Sequence, residues 1–476
     1  MDCANPVTMG AGELAAAIRC KEFDPVEVAE AFVAEVEASN PALNAIVRFD
    51  AAAFLAEAHA AARRLSAGDR APLLGVPFTV KDNIWVEGRT VCQGSCLFED
   101  FVAPVDAIAV ARLRAAGAVV MGTTNCSEFA CKGVTTNLLH GPTRNPWNLA
   151  RTPGGSSGGA AAAVSAGLGP LALCTDGGGS TRRPAAHTGV VGFKPSAGLI
   201  PHPIGFREPV FGNSVIGLMA RRVADTALTL DLLAGSDPRD PLSPPWHLPE
   251  PRAPHVGASL EGLRVAFSPR LGLDVAVDPL VATRVKEAAA WIEQSGAVVE
   301  EADPIWPGDA SEESLAPLQL AGLAALYGDA WQEDPGRFDP DIGGQIEAGL
   351  ALPATCVAQA LFLRETLLSA LAALFEHFDL LFSPTTPCVA WPLDRLGPAR
   401  IEGREVSPRA HAVFTPFFNH TYLPACSVPC GLAEDGLPAG AQIVGRRFED
   451  ALVARAAAVV EAGTGGLFAR PRRPEL

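Results

Sequence analysis

Residues 151–196, RTPGGSSGGAAAAVSAGLGPLALCTDGGGSTRRPAAHTGVVGFKPS, constrain this chain more than any other part, because they set two serines in two glycine-rich turns. The first turn, Gly154-Gly155-Ser156-Ser157-Gly158-Gly159, opens an alanine-rich segment that reads as a helix. The second, Asp176-Gly177-Gly178-Gly179-Ser180, follows a short apolar run at 171–174 that reads as a buried strand. Glycine has no Cβ and tolerates positive φ, so such turns bring backbone N–H groups close to a bound group. A nest of these donors suits an oxyanion.

A serine nucleophile needs a base, and no histidine is evident in that role. Lys81 is the candidate. It ends the apolar run 73–80 (LLGVPFTV) and is followed by Asp82-Asn83. Desolvation at the end of a buried strand disfavours the ammonium and lowers its pKa towards that of a useful base. Five of the 37 basic residues are lysines, so arginine meets the general demand for positive charge and Lys81 stands apart.

Together these pieces resemble the amidase signature family of serine hydrolases. The matching residues begin at Gly75-Val76-Pro77 with Lys81-Asp82-Asn83, Gly122-Thr123-Thr124-Asn125 with Glu128-Phe129, and Asn145-Pro146-Trp147-Asn148. They run on through the two serine turns, Pro184-Ala185 and Gly192-Phe193-Lys194-Pro195. Later matches are Ser383-Pro384-Thr385-Thr386-Pro387 and Gly436-Leu437-Pro438 with Gln442. The resemblance implies Ser180 as nucleophile, Ser156 on a cis peptide bond as bridging serine, and Lys81 as base. It also implies an oxyanion hole from the backbone N–H groups of Gly177, Gly178, Gly179 and Ser180. The separations, 75 residues from Lys81 to Ser156 and 24 from Ser156 to Ser180, look like the family's.

The chemistry is consistent on its own terms. A neutral Lys81 accepts a proton from Ser156 while Ser156 accepts one from Ser180, and the same relay run backwards protonates a departing amine. Ser157 reads as a supporting hydrogen-bond donor. The resemblance implies a structural role for Arg182, the family's common arginine two residues after the nucleophile, paired with Asp176. A competing reading takes Gly155-Ser156-Ser157-Gly158-Gly159 as a G-x-S-x-G elbow with Ser157 as nucleophile. That motif needs a strand directly before it, whereas residues 140–148 are turn formers.

Motifs scattered from 75 to 442 must converge on one site, so the expectation is one domain spanning 1–476. Its core motifs lie at about 75–200 and 380–445, and a divergent substrate-side region covers about 235–375. Helical spacing at 11–19, 25–39 (with Asp24 as N-cap), 52–65 and 105–117 alternates with strands such as 118–121. A strand at 263–267, a helix at 279–294 and a strand at 297–300 follow a proline-dense surface excursion at 237–254. The alternation is α/β. The resemblance refines it to a large central mixed β-sheet flanked by helices, a single compact domain.

A net charge of −16 argues against a nucleic-acid surface, and no run of 18 uncharged apolar residues argues for a membrane span. Met1-Asp2-Cys3-Ala4-Asn5 lacks the basic start of a signal peptide, so the expected location is cytoplasmic, as a monomer or homo-oligomer. The eleven cysteines form no C-x-x-C pair and no histidine stands at zinc spacing, so buried free thiols are expected, with no metal and no cofactor.

The resemblance puts the substrate pocket near 128–132, in the loop after the nucleophile, and in the divergent region. Those segments offer Ala130-Cys131, then Ile204-Gly205-Phe206 and Phe211, then Tyr327, Trp331 and Phe338. This apolar, aromatic supply suits an aryl or alkyl acyl group. Tyr422 stands where the family often has glycine, which is expected to reshape the site. Arg183 is an extra cation where some family branches hold a substrate carboxylate, and its plainer reading is an ion pair. The expected function is hydrolysis of the C–N bond of a small amide, with carbamates and esters open to the same route. The alternatives are the glutaminase subunit of a tRNA-dependent amidotransferase and a non-catalytic binding scaffold.

Overall fold

The computed structural model describes residues 5–202, 204–244, 259–433 and 435–474. Short apolar runs become the strands β1 (Ile46–Phe49), β2 (Pro77–Lys81), β3 (Val119–Thr124), β4 (Leu171–Asp176), β5 (Val191–Lys194) and β6 (Val215–Ala220). They continue as β7 (Arg264–Phe267), β8 (Val298–Glu301), β9 (Leu380–Pro384), β10 (Arg400–Ile401), β11 (Arg404–Glu405), β12 (Ala425–Leu432) and β13 (Pro438–Val444). Eleven of them form one mixed sheet in the order β1-β3-β2-β4-β6-β5-β12-β13-β9-β7-β8, and β10 and β11 pair separately.

The centre of the sheet reads as continuous hydrophobic runs because helices cover both faces. Strands β2 to β6 are buried along their whole length. Parallel pairing joins β3, β2 and β4, and again β9, β7 and β8, while antiparallel ladders link the rest. This topology carries motifs far apart in sequence onto neighbouring strands. Lys81 ends β2, Asp176 ends the adjacent β4, and Gln442 on β13 lies opposite Ser383 on β9.

Local chemistry sets the helix ends. The Asp24 carboxylate accepts the Val26 N–H at 2.8 Å before Pro25, which needs no donor at that position. That helix, Pro25–Leu43, outruns the expected 25–39 by passing through Pro41, and it stops at Asn44 in the left-handed region (φ 52°). The expected helix at 105–117 shortens to Ile108–Ala115. Its forerunner Asp106 instead accepts the Glu87 N–H and pairs with Arg114.

The divergent region resolves into the packed helices Glu312–Glu333, Pro340–Leu350 and Ala354–Phe375. Tyr327, Phe338, Ile342 and Ile346 form an apolar cluster with Phe129 and Cys131, and Trp331 packs against it. The helix Ala354–Phe375 is long and apolar enough, by length and composition, to cross a membrane. It carries Arg364-Glu365 at mid-length, and Arg364 donates to the carbonyls of Val210 and Phe211. Of the excursion expected at 237–254, residues 245–254 lie outside the described residues.

Candidate active site

The end of β2, the 154–157 turn and the end of β4 converge on one buried polar cluster. Lys81 Nζ lies 2.7 Å from Ser156 Oγ and donates to Thr175 Oγ1 at 2.9 Å, and Asn83 Nδ2 donates to the same Thr175 oxygen at 3.0 Å. Lys81 and Ser156 are fully buried, and the Gly155–Ser156 peptide bond is cis. Thr135 fixes the turn by donating to the Gly154 carbonyl at 2.9 Å and accepting the Gly158 N–H at 2.8 Å. A Cβ on Gly155 would come within 2.7 Å of the Val134 backbone, so glycine is required there. Burial pushes the Lys81 pKa down, opposed by Cys126, Cys174 and Asp176.

Ser180 lies above this cluster, with Gly177 and Gly178, on the wall of a cavity of about 310 Å³. Its carbonyl accepts the Ser157 N–H at 3.3 Å, and no hydrogen bond joins Ser180 Oγ to Ser156 Oγ among the described residues. Catalytic hydrogen bonds often close fully only around a bound substrate. Ser157 is buried away from the cavity and donates to the Thr175 carbonyl at 3.3 Å. No strand directly precedes it among the described residues, so the geometry of a nucleophile elbow is not met.

One element of the expected oxyanion hole needs correction. Gly179 N–H donates to Asp176 Oδ1 at 2.7 Å and is already engaged. The N–H groups of Gly177, Gly178 and Ser180 have no such partner among the described residues. Asp176 instead organises the turn. Its carboxylate also accepts the Thr181 N–H at 3.1 Å and pairs with Arg182 through Nε at 3.0 Å and Nη2 at 2.9 Å. Burial alone would raise the Asp176 pKa, but the charge and hydrogen bonds of Arg182 hold it well below the usual carboxylate range. Arg182 is anchored in turn by Gln442 Oε1 at 2.7 Å and the Thr415 carbonyl at 3.0 Å, and Asn419 donates to Asp176 at 2.9 Å.

The cavity wall is part apolar and part polar. Ala130, Cys131 and Phe206 line it, with Phe129, Leu315 and Leu318. Phe129 and Ala130 both stand in the left-handed region, at φ 51° and 62°, a costly backbone that shapes the wall. Arg183 also lines the cavity, and burial lowers its pKa to about 10. The ion pair expected for it does not form among the described residues: its buried Nε has no partner, and nearby Glu312 is taken by Arg409.

Other expectations shift as well. Tyr327 and Phe338 serve the cluster behind the wall, Phe211 is substantially exposed, and none of the three lines the cavity. Tyr422 adopts φ 64°, a conformation that favours glycine, while its neighbour His420 lines the cavity instead. Sequence reasoning assigned no role to Thr175, Asn83 or Asn419, nor to His411, which lines the cavity. Thr175 and Asn83 were accessible as near neighbours of Asp176 and Lys81, whereas Asn419 and His411 carried no local signal. The thiols are not uniformly buried either, since Cys20 is exposed and Cys96 and Cys356 are half-buried.

Comparison with known proteins agrees with this architecture. The profile of the family described as Amidase matches residues 27–454. An acylamidase of Rhodococcus erythropolis is 40% identical over 460 residues, covering 95% of each chain. A glutamyl-tRNA(Gln) amidotransferase subunit from Roseiflexus sp. is 37% identical, covering 91% of this chain and 92% of its own. Among solved structures, a bacterial aryl acylamidase of the amidase signature family superposes with a TM-score of 0.89 at 30% identity, over 96% of both chains. A 6-aminohexanoate cyclic dimer hydrolase in complex with substrate gives 0.87 at 30% identity, over 98% of this chain and 99% of its own. With a buried serine–lysine cluster under a cavity, an 11-stranded mixed sheet and relatives along nearly its whole length, the chain belongs to the amidase signature family and is a hydrolase of carbon–nitrogen bonds.

Proposed function

We propose that this amidase hydrolyses small amides with an apolar aryl or alkyl acyl group through an acyl-enzyme intermediate, with Ser180 as nucleophile, Ser156 as relay and Lys81 as base. The observation that carries this reading is the 2.7 Å contact between Lys81 and Ser156, in a buried floor directly beneath the cavity that Ser180 lines. Burial favours the neutral amine of Lys81, which takes the Ser156 proton as Ser156 takes that of Ser180. Ser180 Oγ attacks the amide carbonyl, and the oxyanion meets the N–H groups of Gly177, Gly178 and Ser180. As the C–N bond breaks, the relay returns its proton to the leaving amine. Water then repeats the path and releases the carboxylic acid.

Phe129, Phe206, Leu315 and Leu318 support the apolar acyl preference, as does the similarity to an acylamidase. Carbamates and esters fit the same steps. A second reading, glutaminase action within a tRNA-dependent amidotransferase, is favoured by the 37% identical relative and by Arg183, a cation suited to an α-carboxylate. A screen of aryl amides, aliphatic amides, carbamates, ureas and glutamine tests both. The highest kcat/KM is expected on aryl or alkyl amides, and glutamine hydrolysis that needs an added partner protein would replace this reading with the second.

A further inference from the structure

Next to Lys81, Cys92 of the loop at 92–95 meets Asp82 and His140, three side chains that the proposed reaction does not use. Cys92 Sγ lies 3.2 Å from Asp82 Oδ2 and 3.8 Å from His140 Nε2, and one ligand atom from each residue falls within 4.8 Å of the others. Tetrahedral zinc has bonds of about 2.0–2.3 Å, which implies ligand-to-ligand edges of about 3.3–3.8 Å. The Cys92–His140 edge of 3.8 Å falls at the upper end of that range, and the Cys92–Asp82 edge of 3.2 Å, a thiol hydrogen bond without the ion, falls just short of it. Thiolate, imidazole and carboxylate are also the donor types that zinc takes.

The backbone holds all three residues before any ion arrives. Asp82 accepts the Cys92 N–H at 3.1 Å, Asn137 Oδ1 accepts the His140 N–H at 2.8 Å, and Asn44 Nδ2 donates to the His140 carbonyl at 2.6 Å. Cys92 and Asp82 are buried, whereas His140 is half-buried near exposed Leu138, so the imidazole is the part of the cluster closest to solvent. Arg48 Nη2 donates to Cys92 Sγ at 3.3 Å, and this second contact would orient a thiolate.

We propose that Cys92, His140 and Asp82 form a binding site for a zinc-class divalent cation, and that its occupation slows hydrolysis. Binding forms the metal–sulfur, metal–nitrogen and metal–oxygen bonds and releases the Cys92 thiol proton to solvent, with no redox step. Thiolate and carboxylate supply two negative charges to the dication, offset in part by the Arg48 guanidinium beside the sulfur. The inhibitory half follows from what Asp82 already holds. Its Oδ2 accepts the Gly94 N–H at 3.0 Å and its carbonyl accepts the Gln93 N–H at 2.7 Å. Gln93 lines the cavity and donates to Tyr327 at 3.1 Å. A metal on Oδ2 competes with the Gly94 N–H for that oxygen, which loosens the wall beside Lys81. This half rests on the proposed active site, whereas the binding half does not.

Cadmium is the spectroscopic probe for the full chain in thiol-free buffer. One equivalent of Cd²⁺ is expected to give a thiolate-to-cadmium charge-transfer band that Zn²⁺ displaces. Cys92→Ser should abolish the band, and His140→Gln should weaken affinity by at least the roughly 10–100-fold that loss of even an outer-shell partner costs. His140→Gln sits on a partly exposed loop, so it keeps the test valid if Cys92→Ser unfolds. Replacing the more exposed Cys20 and Cys356 with serine should leave the band intact. Zn²⁺ should reduce amide hydrolysis by the wild type, reversibly with chelator, and leave Cys92→Ser unaffected. A missing band in the wild type, or a band that survives Cys92→Ser, overturns the site. Stoichiometric binding with undiminished hydrolysis overturns its inhibitory role.

Discussion

The floor and the overhanging wall of the cavity are built on opposite principles. In the floor, Lys81, Thr175, Asp176 and Arg182 are all buried and each finds its partners within the chain, and only where Asn83 reaches the cavity is one of its atoms, Oδ1, left without a partner among these residues. In the wall, the helices Glu312–Glu333 and Pro340–Leu350 are tied down by the buried Lys132–Asp339 pair and by Arg409–Glu312. That wall nevertheless leaves Arg183 Nε and His411 Nδ1 buried without partners, on residues that line the cavity. A buried polar group left unpaired costs about 1–3 kcal/mol, so such groups are places where a ligand can supply what the protein does not. On the proposed reaction, the floor carries the chemistry, and the wall carries recognition.

The largest test removes the point where floor and cavity meet. Ser180→Ala is expected to lower kcat on the order of 10⁶-fold and to abolish labelling by a fluorophosphonate probe, with the fold intact by circular dichroism. Ser157→Ala should keep the labelling, because Ser157 Oγ is turned towards the Thr175 carbonyl. The reverse result would move the chemistry to the elbow reading and erase the contrast.

Next in size is the base. Lys81→Ala is expected to lower kcat by about 10²–10⁴-fold, the usual worth of a positioned general base. Burial lowers the Lys81 pKa, so below that pKa the ammonium cannot accept a proton and above it the amine can. Wild-type kcat should therefore rise with pH through the lowered pKa and then level off. Lys81→Arg should be as inactive as alanine, since a guanidinium keeps its proton. An active arginine variant would show that Lys81 supplies charge rather than accepting a proton.

The floor also predicts a stability effect that the exposed surface does not share. Asp176→Asn leaves Arg182 buried opposite a neutral partner, and breaking such a pair costs about 3–5 kcal/mol. Arg264–Glu300, both half-exposed, is the control, and its loss should cost about 1 kcal/mol or less. Denaturant unfolding of both variants makes the comparison. Equal losses would mean that the Asp176 network is dispensable to the fold.

The same division explains what could be read from sequence. The floor's residues stood out because they sit in local patterns: glycine turns beside short apolar runs single out Ser156, Ser180 and Asp176, and a strand end singles out Lys81, while the separate parts given to the two serines came from the resemblance to the family. The engagement of the Gly179 N–H was not legible, because it depends on which way the Asp176 side chain turns. The wall was poorly legible because its helices are specified by contacts across long separations, such as Gln93 with Tyr327 and Lys132 with Asp339. Phe206 does line the cavity, but Tyr327 and Phe338 went instead to the cluster behind the wall, where Phe129 stacks on Tyr327 with ring centroids 3.8 Å apart. Composition supplies aromatics, but only packing decides which of them face the substrate.

The smallest expected effect separates two neighbours, Arg182 and Arg183. The first is bonded to Asp176, Gln442 and Thr415, while the second makes no side-chain hydrogen bond among the described residues. Arg183 lies at the cavity wall beside the turn that bears Ser180, and its positive charge is balanced less directly because Glu312 is engaged by Arg409. A charge-assisted hydrogen bond to an anionic substrate group is worth about 1.5–3 kcal/mol. Arg183→Leu is therefore expected to raise KM for an anionic amide by about tenfold or more, while a neutral aryl amide keeps its KM and both keep their kcat. Steady-state kinetics on a matched pair of substrates, differing in one carboxylate, reads this directly. If both KM values rise together, Arg183 holds the wall in shape, and recognition of the acyl group falls to the apolar residues alone.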